Sequence, residues 1–301
     1  MNRPVIGIIG GTGLADALLS RSEGQSEEIS TPFGPPSGPI LTMRWNGLDV
    51  AVVSRHGPGH VHPPSAVPYR ANIFALKTLG VTHILASGAV GSLAEEIAPR
   101  DLVIADQAID KTFRRPSTFF DDGVAVHVEF SSPFCEGLRR RLCDSRNEIE
   151  ARIHDSGTYV CMEGPAFSTR AEAQMHREWG GHLIGMTCMP EAKLAREAEI
   201  CYALVALVTD YDCWRPHAPG LTPESLIAEI MGHLESATES SIALIKATIA
   251  RMSGDPPGTC PHHDGLKQAI WSDKSRVNPS AIEKLHPIIG RYFQGDAVST
   301  K

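Results

Sequence analysis

The feature that most constrains this chain is the alternation of short apolar runs with stretches of helical periodicity. Buried strands are predicted at residues 5–9, 50–53, 84–86, 102–104, 183–186 and 204–209, and helices at 71–79, 171–178, 191–203 and 226–252. Strands that alternate with helices favour an α/β fold, in which helices cover a mixed sheet. We therefore expect a single layered domain with a central mixed β-sheet flanked by helices.

Composition and charge exclude several classes of protein. The formal net charge of -7 and the absence of any long Lys/Arg run argue against a nucleic-acid partner. The apolar stretch at 5–9 is too short and glycine-rich for a signal peptide, and no later run reaches membrane length. The seven cysteines are scattered without a C-x-x-C pair, which is typical of reduced intracellular thiols. We expect a cytoplasmic protein with no membrane partner.

A glycine- and proline-rich break at 254–258 divides the chain into two unequal parts. We predict one catalytic domain over residues 1–253 and a polar C-terminal extension over 254–301 that is partly helical or loop. Cys260, His262 and His263 in the extension suggest a metal, but no second cysteine lies nearby in the sequence. The sequence therefore predicts no metal site and a solvated tail.

The first predicted strand ends in the glycine turn Gly10-Gly11-Thr12-Gly13. The dinucleotide pattern G-x-G-x-x-G fails because Asp16 stands where the third glycine belongs, and the P-loop lysine is also missing. This excludes a dinucleotide-dependent oxidoreductase. The turn can hold a phosphate through backbone N–H groups and the Thr12 hydroxyl, or it can be a plain strand-end turn.

Polar side chains also follow other predicted strands. Arg55 and His56 come directly after the strand at 50–53, and arginine offers a planar fork of donors suited to phosphate. Similar strand ends carry Ser87-Gly88-Ala89, Met186-Thr187 and Thr209-Asp210-Tyr211-Asp212. Strand ends of an α/β sheet commonly form one ligand site, so we expect these residues to share a site at one edge.

Asp210 and Asp212 are spaced by two, which places both carboxylates on one face of a strand. Such a pair can bind a metal, hydrolyse a glycoside or recognise the edge of a purine. A metal would need further ligands nearby, and glycoside hydrolysis needs an acid and a base on opposite sides of the bond. A purine edge fits, because a carboxylate accepts from an exocyclic amine and a protonated one donates to a ring nitrogen. A capping or turn role remains the alternative.

Eight motifs, in order along the chain, resemble the 5′-methylthioadenosine phosphorylase family of the trimeric purine nucleoside phosphorylase superfamily. They are Gly10-Gly11-Thr12-Gly13, Ser54-Arg55-His56-Gly57, Tyr69-Arg70-Ala71-Asn72, Gly91-Ser92-Leu93, Glu163-Gly164-Pro165, Phe167-Ser168-Thr169-Arg170-Ala171-Glu172, Met186-Thr187 and Thr209-Asp210-Tyr211-Asp212-Cys213-Trp214. The likeness covers roughly residues 4 to 250. It implies a phosphorylase/hydrolase-like fold, a cytosolic homotrimer, and phosphorolysis of S-methyl-5′-thioadenosine to adenine and 5-methylthioribose 1-phosphate in purine and methionine salvage.

The resemblance also implies roles for individual residues. Phosphate, a co-substrate beside which no cofactor is expected, would be held by Thr12, Arg55, His56, Gly88, Ala89 and Thr187. Met186 would contact the ribose, while Phe167, Ser168, Asp210, Tyr211 and Asp212 would bind the purine. The two aspartates would be the catalytic residues. His127 of a neighbouring subunit would reach the 5′ side of the sugar, and Pro223, Leu226 and Ile227 would line the methylthio cavity.

This chain departs from the family pattern at Gly88, where relatives often carry a hydroxyl residue, with Ser87 one position earlier. The tail beyond Pro256 also matches poorly. Two other functions remain open at this point. One is a phosphorylase of 6-oxopurine nucleosides such as methylthioinosine, which the two aspartates disfavour because a carboxylate would repel the 6-oxo group. The other is a non-catalytic nucleoside-binding sensor.

Overall fold

The computed structural model describes residues 5–11, 13–14, 24–216 and 222–293. Thr12, from the predicted phosphate site, lies outside the described residues, as does the side chain of Pro223. The strands are β1 (Val5–Gly10), β2 (Gln25–Glu27), β3 (Ile40–Trp45), β4 (Leu48–Ser54), β5 (Val81–Ser92), β6 (Leu102–Ile104), β7 (Gln107–Lys111), β8 (Ile153–His154), β9 (Thr158–Met162), β10 (Leu183–Gly185) and β11 (Cys201–Tyr211).

The helices alternate with these strands along the chain. They are α1 (Tyr69–Thr78), α2 (Glu136–Asp144), α3 (Arg170–Glu178), α4 (Cys188–Glu197), α5 (Pro223–Gly254), α6 (Pro279–Lys284) and α7 (His286–Ile289). No helix within the described ranges is both long and apolar enough to cross a membrane. The sequence-based α/β prediction is confirmed: helices flank one mixed sheet.

The strands form one sheet in the order β2-β3-β4-β1-β5-β10-β9-β7, with β11, β6 and β8 branching from β5. β5 pairs in parallel with β1 on one edge and with β11 on the other. The pairing with β1 stops at Ala86, and the antiparallel pairing with β10 begins only at Gly91. Residues 87–90 therefore have an edge with no strand partner, and this break in the sheet opens beside the ends of β1 and β4.

Successive residues of the central strands face two separate apolar layers, as the period of two in a strand requires. Ile9 and Leu204 pack in one cluster with residues of α1 and α4. Ile8 and Val205 pack in the other cluster with residues of α2 and α5. The sheet is therefore covered on both faces, which explains why its strands read as continuous apolar runs.

The sequence prediction was inaccurate at several boundaries. The helix predicted over 191–203 was wrong in its last residues, because α4 ends at Glu197 and β11 begins at Cys201. Glu199 lies between them with a φ of 57°, a left-handed conformation that neither a helix nor a strand contains. Strands β2, β3, β7, β8 and β9 were not predicted; β2, β7 and β8 contain no buried residue, which removes the apolar signal.

The chain beyond Gly254 is not a solvated tail, which corrects the sequence-based expectation. Leu266, Ile288 and Ile289 are fully or almost fully buried and belong to the cluster that contains the α1 side chains. Its helical elements are α6, α7 and the short 3-10 helices Pro261–Asp264, Lys274–Arg276 and Gly290–Tyr292. The division into two parts at residue 253 stays a prediction, but the second part packs on the core of the first.

The packing of α7 predicts a large stability loss from one truncation. Ile289→Ala should lower the free energy of unfolding by about 2–5 kcal/mol, because it removes a fully buried side chain and leaves a cavity. Glu283→Ala, at an exposed position of the same segment, should change it by less than about 0.5 kcal/mol. Urea unfolding monitored by fluorescence measures both. Equal effects would mean that the segment does not contribute to the cooperative core.

Candidate active site

A buried ion pair lies behind the break in the sheet. Arg55 follows β4 and is fully buried, and its Nε and Nη2 each donate to the Glu191 carboxylate of α4 at 2.7 Å. Its Nη1 donates to the Ser87 carbonyl at 2.7 Å, and the Tyr202 hydroxyl donates to Glu191 Oε1 at 2.8 Å. Burial opposes the charge of Arg55, but Glu191 outweighs it and holds the arginine pKa above its ordinary value. Arg55 therefore keeps its charge, and its bond to the Ser87 carbonyl fixes the backbone there.

Two glycines allow other parts of the chain to lie close to this pair. A Cβ on Gly88 would lie 3.3 Å from Thr187 Oγ1 and 3.9 Å from Arg55 Nη1. A Cβ on Gly11 would lie 3.1 Å from Arg55 Nη1 and 3.2 Å from the Ser87 carbonyl. Thr187, Gly88, Gly11 and Arg55 therefore lie close together, and Ala89 continues β5 beside them. The structure brings these predicted phosphate residues together, although Arg55 is covered and three of its five donors are already engaged.

His56 is the second donor predicted for phosphate. It is mostly buried, its Nδ1–H donates to the His62 carbonyl at 2.8 Å, and its ring stacks on His60 at 4.2 Å. Burial and the neighbouring Arg55 charge lower the pKa of His56 to about 4. The imidazole is therefore neutral at physiological pH, and its Nε2 is an acceptor rather than a donor.

The two aspartates come together at Gly91, which lies three residues after Gly88 on β5. Asp210 pairs with Gly91 in the β11 register just after a bulge at Thr209, whose hydroxyl lies 2.6 Å from Asp210 Oδ1. Asp212 follows the strand rather than standing on it; its N–H donates to the Ser92 carbonyl at 2.9 Å. A Cβ on Gly91 would lie 3.3 Å from Asp212 Cβ.

Asp212 has one buried carboxylate oxygen that is unpaired among the described residues. The side chain is buried, and its Oδ2 has no hydrogen-bond partner among the described residues. A buried acceptor without a partner is costly and uncommon in native proteins, and a donor on a bound molecule can satisfy it. Tyr211, between the two aspartates, is half-buried and lies under the Arg215 guanidinium at 4.3 Å.

Met186 precedes Thr187 and contacts the loop before α3. Its sulfur packs against Gly164, where a Cβ would lie only 2.6 Å away. The Met186 carbonyl accepts from Arg115 Nη1 at 2.6 Å, and Arg115 Nε donates to the buried carboxylate of Glu163 at 3.0 Å. Arg115 thus joins the loop before α3 to the loop before α4 and positions Met186.

The residues predicted to bind the base and the 5′ group of the sugar are partly or largely exposed. Phe167 is 86% exposed, and Ser168 is half-buried, with its carbonyl accepting from Cys213 Sγ at 3.3 Å. Near the start of α5, Leu226 is half-buried and Ile227 is 61% exposed. Such uncovered apolar side chains are expected where a ligand or another chain completes a surface.

His127 contacts a different part of the chain from these residues. It is exposed, its N–H donates to the Ala269 carbonyl at 2.9 Å, and its ring packs on Trp271 at 4.5 Å. Both contacts are with the C-terminal segment. A role for His127 in catalysis therefore depends on a neighbouring subunit and stays a prediction.

Sequence reasoning missed Glu191 and Arg115, which hold the site in shape. Neither stands out in the sequence, because Glu191 lies among other charged residues of α4 and Arg115 directly follows Arg114. Neither partner could be identified from sequence, because Arg55 and Glu191 are 136 positions apart and Arg115 and Glu163 are 48 apart.

The chain is similar to known proteins over nearly its whole length. The family model for the Phosphorylase superfamily matches residues 5–250. The S-methyl-5′-thioadenosine phosphorylase of Thermosynechococcus vestitus is 44% identical over 291 residues, covering 96% of this chain and 99% of the relative. That of Cereibacter sphaeroides is 43% identical, covering 97% of this chain and 100% of the relative.

Solved structures give the same result. A methylthioadenosine phosphorylase from an antarctic soil metagenomic library superimposes with a TM-score of 0.83 at 42% identity, covering 96% of this chain and 99% of that one. A double mutant of the Schistosoma mansoni adenosine/methylthioadenosine phosphorylase, in complex with adenine, gives 0.82 at 34% identity, covering 89% and 99%. These relatives are enzymes, which disfavours the sensor alternative. The chain belongs to the Phosphorylase superfamily and, within it, to the S-methyl-5′-thioadenosine phosphorylase family.

Proposed function

We propose that the chain binds phosphate and S-methyl-5′-thioadenosine together and converts them to adenine and 5-methylthioribose 1-phosphate. The observation that carries this proposal is the spacing along β5. Gly88 lies beside Thr187, and Gly91 lies beside Asp212 three residues later, a separation along the strand of about 10 Å at roughly 3.3 Å per residue. A ribose fits between an anion at the first position and a purine at the second.

Phosphate binds beside Gly88 and Thr187. The Thr187 hydroxyl and the backbone N–H groups of the glycine turns donate to it, and Arg55 fixes the turn and offers its remaining N–H groups. Because Arg55 is paired with Glu191 and His56 is neutral, these three residues together carry no net charge. The phosphate charge is therefore left to stabilise the cation that forms at C1′ when the glycosidic bond breaks.

Adenine binds at the two aspartates. The free Oδ2 of Asp212 accepts from the 6-amino group, which satisfies its unpaired acceptor. Asp210, when protonated, donates to N7 and so neutralises the leaving base. Phosphate attacks C1′ from the opposite face, and the sugar 1-phosphate forms with inversion.

Met186 contacts the ribose, and Leu226 and Ile227 contact the methylthio group. Their exposure is explained if the active enzyme is a homotrimer in which His127 of the next subunit closes the 5′ side. No cofactor takes part, since phosphate itself is the nucleophile. The enzyme acts in the cytoplasm, in purine and methionine salvage, and neither nucleic acid nor membrane is a partner.

The first prediction is that adenine release requires phosphate and depends on Thr187. Thr187→Val keeps the shape of the side chain but loses the hydroxyl. It should raise the KM for phosphate roughly 10- to 100-fold, because a hydrogen bond to a charged group contributes about 1.5–3 kcal/mol. The KM for the nucleoside should change little. Thr248→Val, at a buried threonine of α5, is the matched control.

A variant that should strengthen phosphate binding tests the same position. Gly88→Ser introduces the hydroxyl that relatives often carry, next to Thr187 Oγ1, and should lower the KM for phosphate. Arg55→Ala should raise the KM for phosphate. It should also destabilise the fold, because Glu191 would be left buried and unpaired. Equal adenine release in phosphate-free buffer would identify a hydrolase and contradict the proposal.

The second prediction concerns the choice of base. The wild type should prefer methylthioadenosine to methylthioinosine by about 10⁴ in kcat/KM, because the 6-oxo group leaves the Asp212 acceptor unpaired. Asp210→Asn should lower turnover of adenine nucleosides, because an amide cannot give its proton to the leaving base, and Asp212→Asn should shift the ratio toward 6-oxopurines, because the amide donates to O6 where the carboxylate would repel it. Asp155→Asn, on the surface, is the control. An unchanged ratio would contradict the roles of the aspartates.

The third prediction concerns assembly. Light scattering should show a trimer, and a His127→Ala chain mixed with an Asp210→Ala chain should regain activity, because some sites would receive both intact residues. Each variant alone, taken through the same mixing protocol, provides the baseline. Absence of recovery after demonstrated subunit exchange would show that His127 does not cross between subunits.

A further inference from the structure

Three cysteines and a histidine from distant parts of the chain meet at the far end of the sheet. They are Cys135, just before α2; Cys201, the first residue of β11; and Cys260 and His262 in the C-terminal segment. Their ligand atoms all lie within 4.8 Å of one another. Cys135 and Cys201 are buried, and Cys260 and His262 are half-buried.

The separations match those of ligands around one tetrahedral ion. Ligands 2.3 Å from zinc at the tetrahedral angle are about 3.8 Å apart. Cys135 Sγ and Cys260 Sγ are 3.7 Å apart, and Cys201 Sγ lies 3.9 Å from His262 Nδ1. A disulfide would require about 2.05 Å, so the sulfurs are thiols that approach without bonding.

We propose that Cys135, Cys201, Cys260 and His262 bind one structural Zn²⁺. Three thiolates and an imidazole form a common closed zinc site, and soft sulfur ligands select zinc over magnesium or calcium. Binding releases the three thiol protons, so that the site carries three thiolates and a neutral histidine. The sequence-based expectation of no metal rested on the lack of a neighbouring cysteine in the sequence, whereas the partners of Cys260 come from folding.

The site is separate from the catalytic chemistry. Cys201 begins β11, and Asp210 lies near the opposite end of the same strand. The ion would join the C-terminal segment to α2 and to the sheet, and so stabilise the docking of that segment.

A second group, His83, Cys201 and His263, adjoins the first. It shares Cys201 and provides only three ligand atoms, and His263 Nε2 also lies 3.3 Å from the Thr82 carbonyl. His83 and His263 contact each other edge to face at 5.2 Å. One ion therefore occupies the four-ligand group, and His83 and His263 lie beside that group.

The test is metal analysis of the full-length protein, purified without chelator and dialysed against metal-free buffer. We expect one zinc per chain by plasma mass spectrometry. Cys260→Ser and His262→Ala should each lose most of it, while Cys143→Ser and His286→Ala, outside the cluster, should retain it. Cobalt substitution should give the thiolate charge-transfer and intense d–d bands of a tetrahedral sulfur-rich centre.

Removal of zinc from the wild type should lower its melting temperature, with recovery on adding zinc back. This measurement does not depend on any variant folding. Wild-type protein that holds no zinc after zinc supplementation would overturn the proposal. So would non-reducing peptide mapping that finds a disulfide between two of the three cysteines in the isolated protein.

Discussion

The buried ion pair between Arg55 and Glu191 is the interaction on which the rest of the site depends. It connects the end of β4 to α4, and through Ser87 and Tyr202 it reaches β5 and β11 as well. Two charges without exposure to water are stable only when both are well paired, and loss of one partner of such a pair costs about 3–5 kcal/mol. The pair therefore determines where the break in the sheet opens and which backbone groups face it.

The same pair shapes the electrostatics of the proposed reaction. A pocket with free positive charge would bind phosphate tightly and neutralise it. Here the guanidinium is already balanced by Glu191, and His56 is held neutral by burial and by Arg55. Oriented N–H and O–H dipoles can bind phosphate while leaving its charge available to a neighbouring cation. The bound anion can then stabilise the sugar cation during cleavage of the bond to the base.

Part of the candidate site could be placed from sequence, because strand ends are marked by the change from apolar runs to glycine and polar residues, but Gly88 and Ala89 lie inside β5, which continues to Ser92. Arg55, Thr187 and Asp212 all follow this rule. The contacts could not be predicted, because they join residues far apart in the chain. Glu191 lies 136 positions from Arg55, and Cys260 lies 125 positions from Cys135. A pattern of local periodicity contains no information about such pairs, and for the cysteines it led to the expectation of no metal.

The central claim is that phosphate and adenine bind at two places on β5, at Gly88 and at Gly91. A crystal structure of the protein with phosphate and adenine tests it most directly. The account predicts phosphate within hydrogen-bond distance of Thr187 Oγ1 and the Gly88 backbone, and the adenine 6-amino group on Asp212 Oδ2. Phosphate bound elsewhere, or adenine that leaves Asp212 Oδ2 without a partner, would contradict it.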